Sequence, residues 1–140
     1  MNYLIGSIKH CDKLRINSWI QSALKYCDCK IVLLVLDQEI PNSLLELETL
    51  GIELIHSPTK DEIDTNICKW ERHFKAREFL KTLTQEDIVL LTDTVDVIFQ
   101  KDPFEWCFDL DPIQGYLLRS KRFWCSDRLV HERTRTFLLQ

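Results

Sequence analysis

Two carboxylates, Asp93 and Asp96, follow the apolar run Ile88-Val89-Leu90-Leu91, and apolar residues resume at once in Val97-Ile98-Phe99. A continuous apolar run reads as a buried central strand rather than a half-solvated one. An unpaired carboxylate is costly to bury, so acids at a strand end belong in a crevice, paired or holding a cation. Open α/β sheets bind their ligands outside the carboxyl ends of the strands. Two acids in that position suit Mg²⁺ or Mn²⁺, which favour oxygen ligands and are held by one or two carboxylates plus substrate phosphates. The plainer alternative is a turn in which Asp accepts local backbone N–H groups. That explains one acid well, but it explains less well a pair flanked by buried runs on both sides. Asp102, immediately before Pro103, is expected only to cap the helical turn that follows.

The elements that must position these acids are read from periodicity. Tyr3 to Ile8 forms a first strand, and Asp12 to Cys27 carries Ile16, Trp19, Ile20, Ala23, Leu24 and Cys27 at helical spacing. Lys30 to Leu36 is a second buried strand ending at Asp37. Asn42 or Ser43 is expected to cap a short helix through Leu50, closed by Gly51, and a third strand ends at His56 before Ser57-Pro58. Thr65 or Asn66 then caps a long helix through Leu83, which offers Ile67, Trp70, Phe74, Leu80 and Leu83 to the core. The acidic strand is the fourth, beginning near Asp87. Pro103 to Cys107 reads as one helical turn, Ile113 to Leu118 as a fifth strand and Asp127 to Leu138 as a final helix. Such alternation predicts an α/β, Rossmann-like domain with a mostly parallel sheet and flanking helices. The acids are expected at its carboxyl edge, close to the ends of the first and third strands, where Ser7 to His10, Asp37 and His56 also lie.

A chain of 140 residues suits one domain with one core. Its net charge of -4 argues against a general nucleic-acid surface, which needs a basic stripe to neutralise phosphates. No apolar run reaches the length of a membrane span, and the apolar N-terminus is short and lacks a basic leader. A soluble, cytoplasmic protein is the expectation, and its six cysteines should then be free thiols. Cys27-Asp28-Cys29 has one intervening residue rather than the two of a zinc knuckle, and no second pair accompanies it. His131 sits in a charged helical context that suggests a solvated residue.

The segment from Val89 to Phe104, with Asp93-Thr94-Val95-Asp96 followed by Phe99-Gln100-Lys101-Asp102-Pro103-Phe104, resembles the metal-binding segment of GT-A nucleotide-diphospho-sugar transferases. It is most similar to a subgroup whose acids are spaced Asp-x-x-Asp, whereas the usual family signature is Asp-x-Asp. Arg72-His73-Phe74-Lys75-Ala76-Arg77-Glu78-Phe79-Leu80 is similar to the helix that precedes this strand in the subgroup. The resemblance implies a GT-A fold, with residues 1–140 as a single nucleotide-sugar-binding domain, the N-terminal half of a longer catalytic unit. It further implies sugar transfer from a nucleoside diphosphate donor to a glycan, lipid or protein acceptor. Asp93 and Asp96 would hold Mn²⁺ or Mg²⁺, Arg72 would approach the diphosphate, and Ser7, His10 and His56 would face the nucleotide. The cation would neutralise the charge that the leaving diphosphate gains. No catalytic base is identified, and nothing after Asp111 corresponds to the family's acceptor site or further metal ligand. The alternatives are a non-catalytic nucleotide-binding or interaction domain and an Asp-dependent phosphohydrolase. The latter normally carries its acids on the first strand.

Overall fold

The strand β1 (Asn2–Ile8) is the axis of the structure, because it pairs in parallel with a neighbour on each side. The computed structural model describes residues 1–60, 65–84, 86–106, 116–119 and 136–139. Along the chain, β1 is followed by α1 (Lys13–Tyr26), β2 (Lys30–Val35), α2 (Asn42–Leu45) and β3 (Glu53–His56). Then come α3 (Thr65–Leu80), β4 (Ile88–Leu91) and the antiparallel pair β5 (Tyr116–Arg119) and β6 (Thr136–Leu139). The first four strands form one all-parallel sheet in the order β3-β2-β1-β4. The expected α/β architecture with flanking helices is therefore present.

The period-2 alternation of each strand divides the core into two layers. Leu4, Ile8, Ile31, Leu33 and Val35 pack with Ile16, Trp19, Ile20 and Ala23 of α1. Ile5, Val32, Leu34 and Leu36 pack instead with Ala76 and Leu80 of α3. The chain moves from β1 to β2 in one direction and from β3 to β4 in the other. A constant crossover hand then puts α1 and α3 on opposite faces. Each fully buried Leu or Ile contributes about 1.5–3 kcal/mol, so β1 and β2, covered on both faces, anchor the sheet.

Several local readings need correction. Leu24 is 40% exposed and Phe74 is 62% exposed, so neither belongs to the core. Neither Asn42 nor Ser43 caps α2. Both lie within its single turn, Pro41 occupies the cap position, and the Pro41 carbonyl accepts from the Leu44 N–H at 2.9 Å. The chain then tightens into a 3₁₀ turn over Glu46–Leu50, which lets Leu44 and Leu47, three residues apart, both point inward. Gly51 closes that turn in the left-handed conformation at φ 82°, as a C-terminal glycine does. The helix α3 stops at Leu80 rather than Leu83, because the N–H groups of Thr82 and Leu83 turn to the carbonyls three residues back. Residues 136–138, expected at the end of a helix, are extended and pair with β5, with Leu138 opposite Leu117 and Phe137 opposite Leu118. Aromatic and aliphatic cross-strand pairs favour that ladder. The remainder of that expected helix from Asp127, His131, and the start of the expected fifth strand at Ile113 lie outside the described residues, as do the side chains of Ile67 and Trp70. Pro103–Trp106 is one 3₁₀ turn, and Asp102 caps it by accepting the Phe104 N–H at 2.9 Å.

Gly6 marks the tightest packing in the sheet. A Cβ there would lie 2.4 Å from Thr94 Cγ2 and 3.0 Å from two atoms of the Trp19 ring. Gly6→Ala is expected to lower stability by about 1–3 kcal/mol, the usual cost of overpacking a core. Removing the opposing methyl in Gly6→Ala/Thr94→Ser should recover part of that loss in urea denaturation. An alanine variant as stable as the wild type would show that this contact is not close-packed.

Candidate functional site

The acids emerge where the strand order reverses. β1 is flanked by β2 on one side and β4 on the other, so the carboxyl ends of β1 and β4 border the topological switch point of the sheet. Pairing continues one residue past β4, where the Thr92 N–H donates to the Ile5 carbonyl at 3.0 Å. The Thr94 hydroxyl then donates to the Ser7 carbonyl at 3.2 Å. Thr92 faces α1, where its hydroxyl accepts from the buried Trp19 indole N–H at 2.9 Å. The loop is held further along by Phe99, which is 8% exposed and whose N–H donates to the Ser22 hydroxyl at 3.0 Å. Asp96 lies exposed between these two anchors.

Asp93 faces the opposite way, toward α3. It lines a cleft of about 110 Å³ together with Ser7, Thr92, Arg72 and His73, over a floor of Ile5, Leu34, Ala76 and Leu91. Within it Arg72 and Asp93 form an ion pair. The Arg72 Nε is buried and makes no hydrogen bond among the described residues, which leaves one guanidinium donor unspent inside the cleft. Beside it, burial pushes the His73 imidazole below its ordinary value, and the Arg72 charge adds to the shift while Asp93 opposes it. The cleft thus combines a cation donor, a carboxylate and a neutral imidazole.

The candidate residues fall into two groups. Arg72, Ser7 and Asp93 share the cleft, with Asp96 three residues further along the same loop. His10 and His56 gather instead around Asp37 at the end of β2. The backbone N–H of His10 donates to Asp37 Oδ1 at 2.9 Å, and its Nδ1 lies 3.2 Å from the same oxygen. His10 takes left-handed backbone at φ 53°. His56 Nε2 lies 2.9 Å from the Asp37 carbonyl oxygen. Lys9 joins the rim by donating to the Thr59 hydroxyl at 2.7 Å. The expected proximity of the acids to the third strand does not hold. β2 and β1 intervene between β3 and β4, and three strand spacings amount to about 14 Å. His56 therefore lies far from the acids. The sequence pattern had not singled out His73, Thr92 or Trp19 for a part in the site. The only available signal was the even-residue alternation that turns Thr92 away from Asp93.

Among the described residues, no group of three or more His, Cys, Asp or Glu side chains is arranged to hold a metal ion. Two acids alone nevertheless suit Mg²⁺ or Mn²⁺, whose remaining positions are filled by phosphate oxygens and water. Among the described residues, no helix is long and apolar enough to cross a membrane. Comparison with family models, curated proteins and solved structures finds no significant match to this chain.

The depressed His73 value has a defined sign. The folded state favours neutral imidazole, so the contribution to stability is complete above the unfolded value of about 6.5 and is lost as pH falls through the lower folded value. The melting temperature of the wild type should fall more steeply than that of His73→Gln as pH drops from about 7 toward about 5. Parallel curves for the two proteins would show that His73 titrates normally.

Proposed function

We propose that this domain binds a nucleoside diphosphate sugar through a divalent cation, as the donor half of a glycosyltransferase of GT-A type. The observation that carries this reading is the placement of Asp93, on the loop it shares with Asp96, beside Arg72 at the switch point between β1 and β4. Ligands of open α/β sheets bind at such a crevice, and a diphosphate needs both a cation and a donor. The buried, unpartnered Nε of Arg72 fits an anionic oxygen entering the cleft. Asp93 and Asp96 would hold Mn²⁺ or Mg²⁺, which when bound neutralises charge on the departing diphosphate. Arg72 would give up Asp93 to contact a phosphate, while Ser7 would border the diphosphate at the end of β1. The described cleft of about 110 Å³ matches the diphosphate rather than a whole nucleotide sugar, since complete ligand pockets run to about 300–1,000 Å³. The Asp37 rim with His10 and His56, further along the same edge, would face the nucleoside.

A phosphohydrolase is less well supported. Its Asp nucleophile would have to be free, whereas Asp93 is paired with Arg72 and the end of β1 carries Ser7 rather than an acid. A domain that binds the donor without transferring its sugar uses the same site, and the two readings separate on turnover. Positioning an acceptor hydroxyl carries much of the catalysis. This chain alone is therefore expected to hydrolyse a donor slowly and to transfer its sugar poorly. Efficient transfer to an acceptor would show the acceptor site to be present.

Titration calorimetry should show nucleoside diphosphate binding with Mn²⁺ or Mg²⁺ and little with a chelator. Asp93→Asn and Asp96→Asn should each weaken the metal-dependent binding tenfold or more, about 1.4 kcal/mol per tenfold, with little change in melting temperature. Asp102 instead ties down backbone, holding the N–H groups of Phe104 and Asp28. Asp102→Asn should leave affinity nearly unchanged. Equal binding under chelator would make the acids structural and end the transferase reading.

A further inference from the structure

The corner Cys27-Asp28-Cys29 joins α1 to the start of β2, at the amino edge of the sheet and away from the Arg72 cleft. Its backbone is pinned from two sides. The Cys27 N–H caps α1 by donating to the Ala23 carbonyl at 2.9 Å, with extended backbone at φ -98° and ψ 122°. The Asp28 N–H donates to Asp102 Oδ2 at 3.3 Å. Side chains two residues apart on extended backbone project to the same side, and here the two thiols share a hydrogen bond. Both are free, half-buried, and packed against the α1 face of the core. Burial this partial leaves each sulfur within reach of a small molecule, and neither takes part in the acid site.

We propose that Cys27 and Cys29 are a redox-active dithiol that exchanges with small-molecule disulfides and closes reversibly to a Cys27–Cys29 disulfide. The hydrogen bond donated by Cys27 lowers the Cys29 thiol, so Cys29 is the attacking thiolate. The same hydrogen bond, followed by burial, raises Cys27, which keeps its proton. Cys29 attacks one sulfur of the disulfide RS–SR. The S–S bond breaks, RS⁻ leaves, and a Cys29–S–SR mixed disulfide remains. Cys29 has then lost its negative charge, and with it the contact that held the proton on Cys27. That proton passes to the departing thiolate, Cys27 attacks the Cys29 sulfur, and the second RS⁻ leaves and is protonated from solvent. The two cysteines lose two electrons and RS–SR gains them, giving two RSH.

The test is incubation of the folded full chain in glutathione buffers of increasing oxidised fraction, followed by acid quench, alkylation and tryptic digestion. Cleavage after Lys25 and Lys30 isolates Tyr26 to Lys30, which carries both thiols and no others. The wild-type peptide should lose two hydrogens and resist alkylation, and reductant should reverse this. Cys11, a single half-buried thiol, should remain alkylatable in the same samples. Cys27→Ser should trap glutathione on Cys29, and Cys29→Ser should acquire it on Cys27 at least about tenfold more slowly. A peptide doubly alkylated in every buffer, or one carrying glutathione on both sulfurs without an internal link, would overturn the proposal. So would equal trapping rates in the two serine variants.

Discussion

The buried indole N–H of Trp19 must find an acceptor, and the hydroxyl it finds is Thr92, the first residue beyond β4. This hydrogen bond ties the central helix on one face of the sheet to the loop that carries the acids. It needs the absence of a side chain at Gly6, because the Trp19 ring and the Thr94 methyl occupy the space a Cβ would fill. With Thr92 turned toward α1, strand alternation sends Asp93 to the other face, onto Arg72 of α3. One packing constraint on the α1 side thus sets the chemistry on the α3 side. Phe99 and Phe104, both buried against α1, close the far end of the same loop and leave Asp96 outside.

The energetics of the cleft favour exchange over permanence. The Arg72 and Asp93 side chains are 31% and 51% exposed, and ion pairs of that kind contribute only about 0–1 kcal/mol. Such a pair keeps both charges oriented and is readily traded for a stronger one, such as guanidinium to phosphate. A neutral His73 alongside spares Arg72 a second positive neighbour. The cleft is therefore ordered without being locked.

Much of this was legible in the sequence. The four parallel strands begin close to the positions their apolar runs imply, and Ile16, Trp19, Ile20 and Ala23 form the buried stripe of α1. The acids lie at the carboxyl edge beside β1, as their position after a buried run implies. Strand order was less accessible, because periodicity gives each strand its faces but not its neighbours. That is why His56 was expected near the acids and lies across the sheet with Asp37. Phe74 is apolar but points outward, since helical spacing alone does not say which stripe a neighbouring layer covers. The ladder between β5 and β6 was missed because its partners lie far apart in sequence, and the charged stretch before Thr136 suggested a helix.

The account turns on whether a cation and a diphosphate replace the contact between Arg72 and Asp93. Manganese anomalous diffraction from crystals grown with Mn²⁺ and a nucleoside diphosphate measures this directly. The account predicts a single strong anomalous peak coordinated by Asp93, Asp96 and phosphate oxygens, with the Arg72 guanidinium moved from Asp93 onto a phosphate. A peak remote from β4, or a bound diphosphate beside an unbroken Arg72–Asp93 pair, would contradict it.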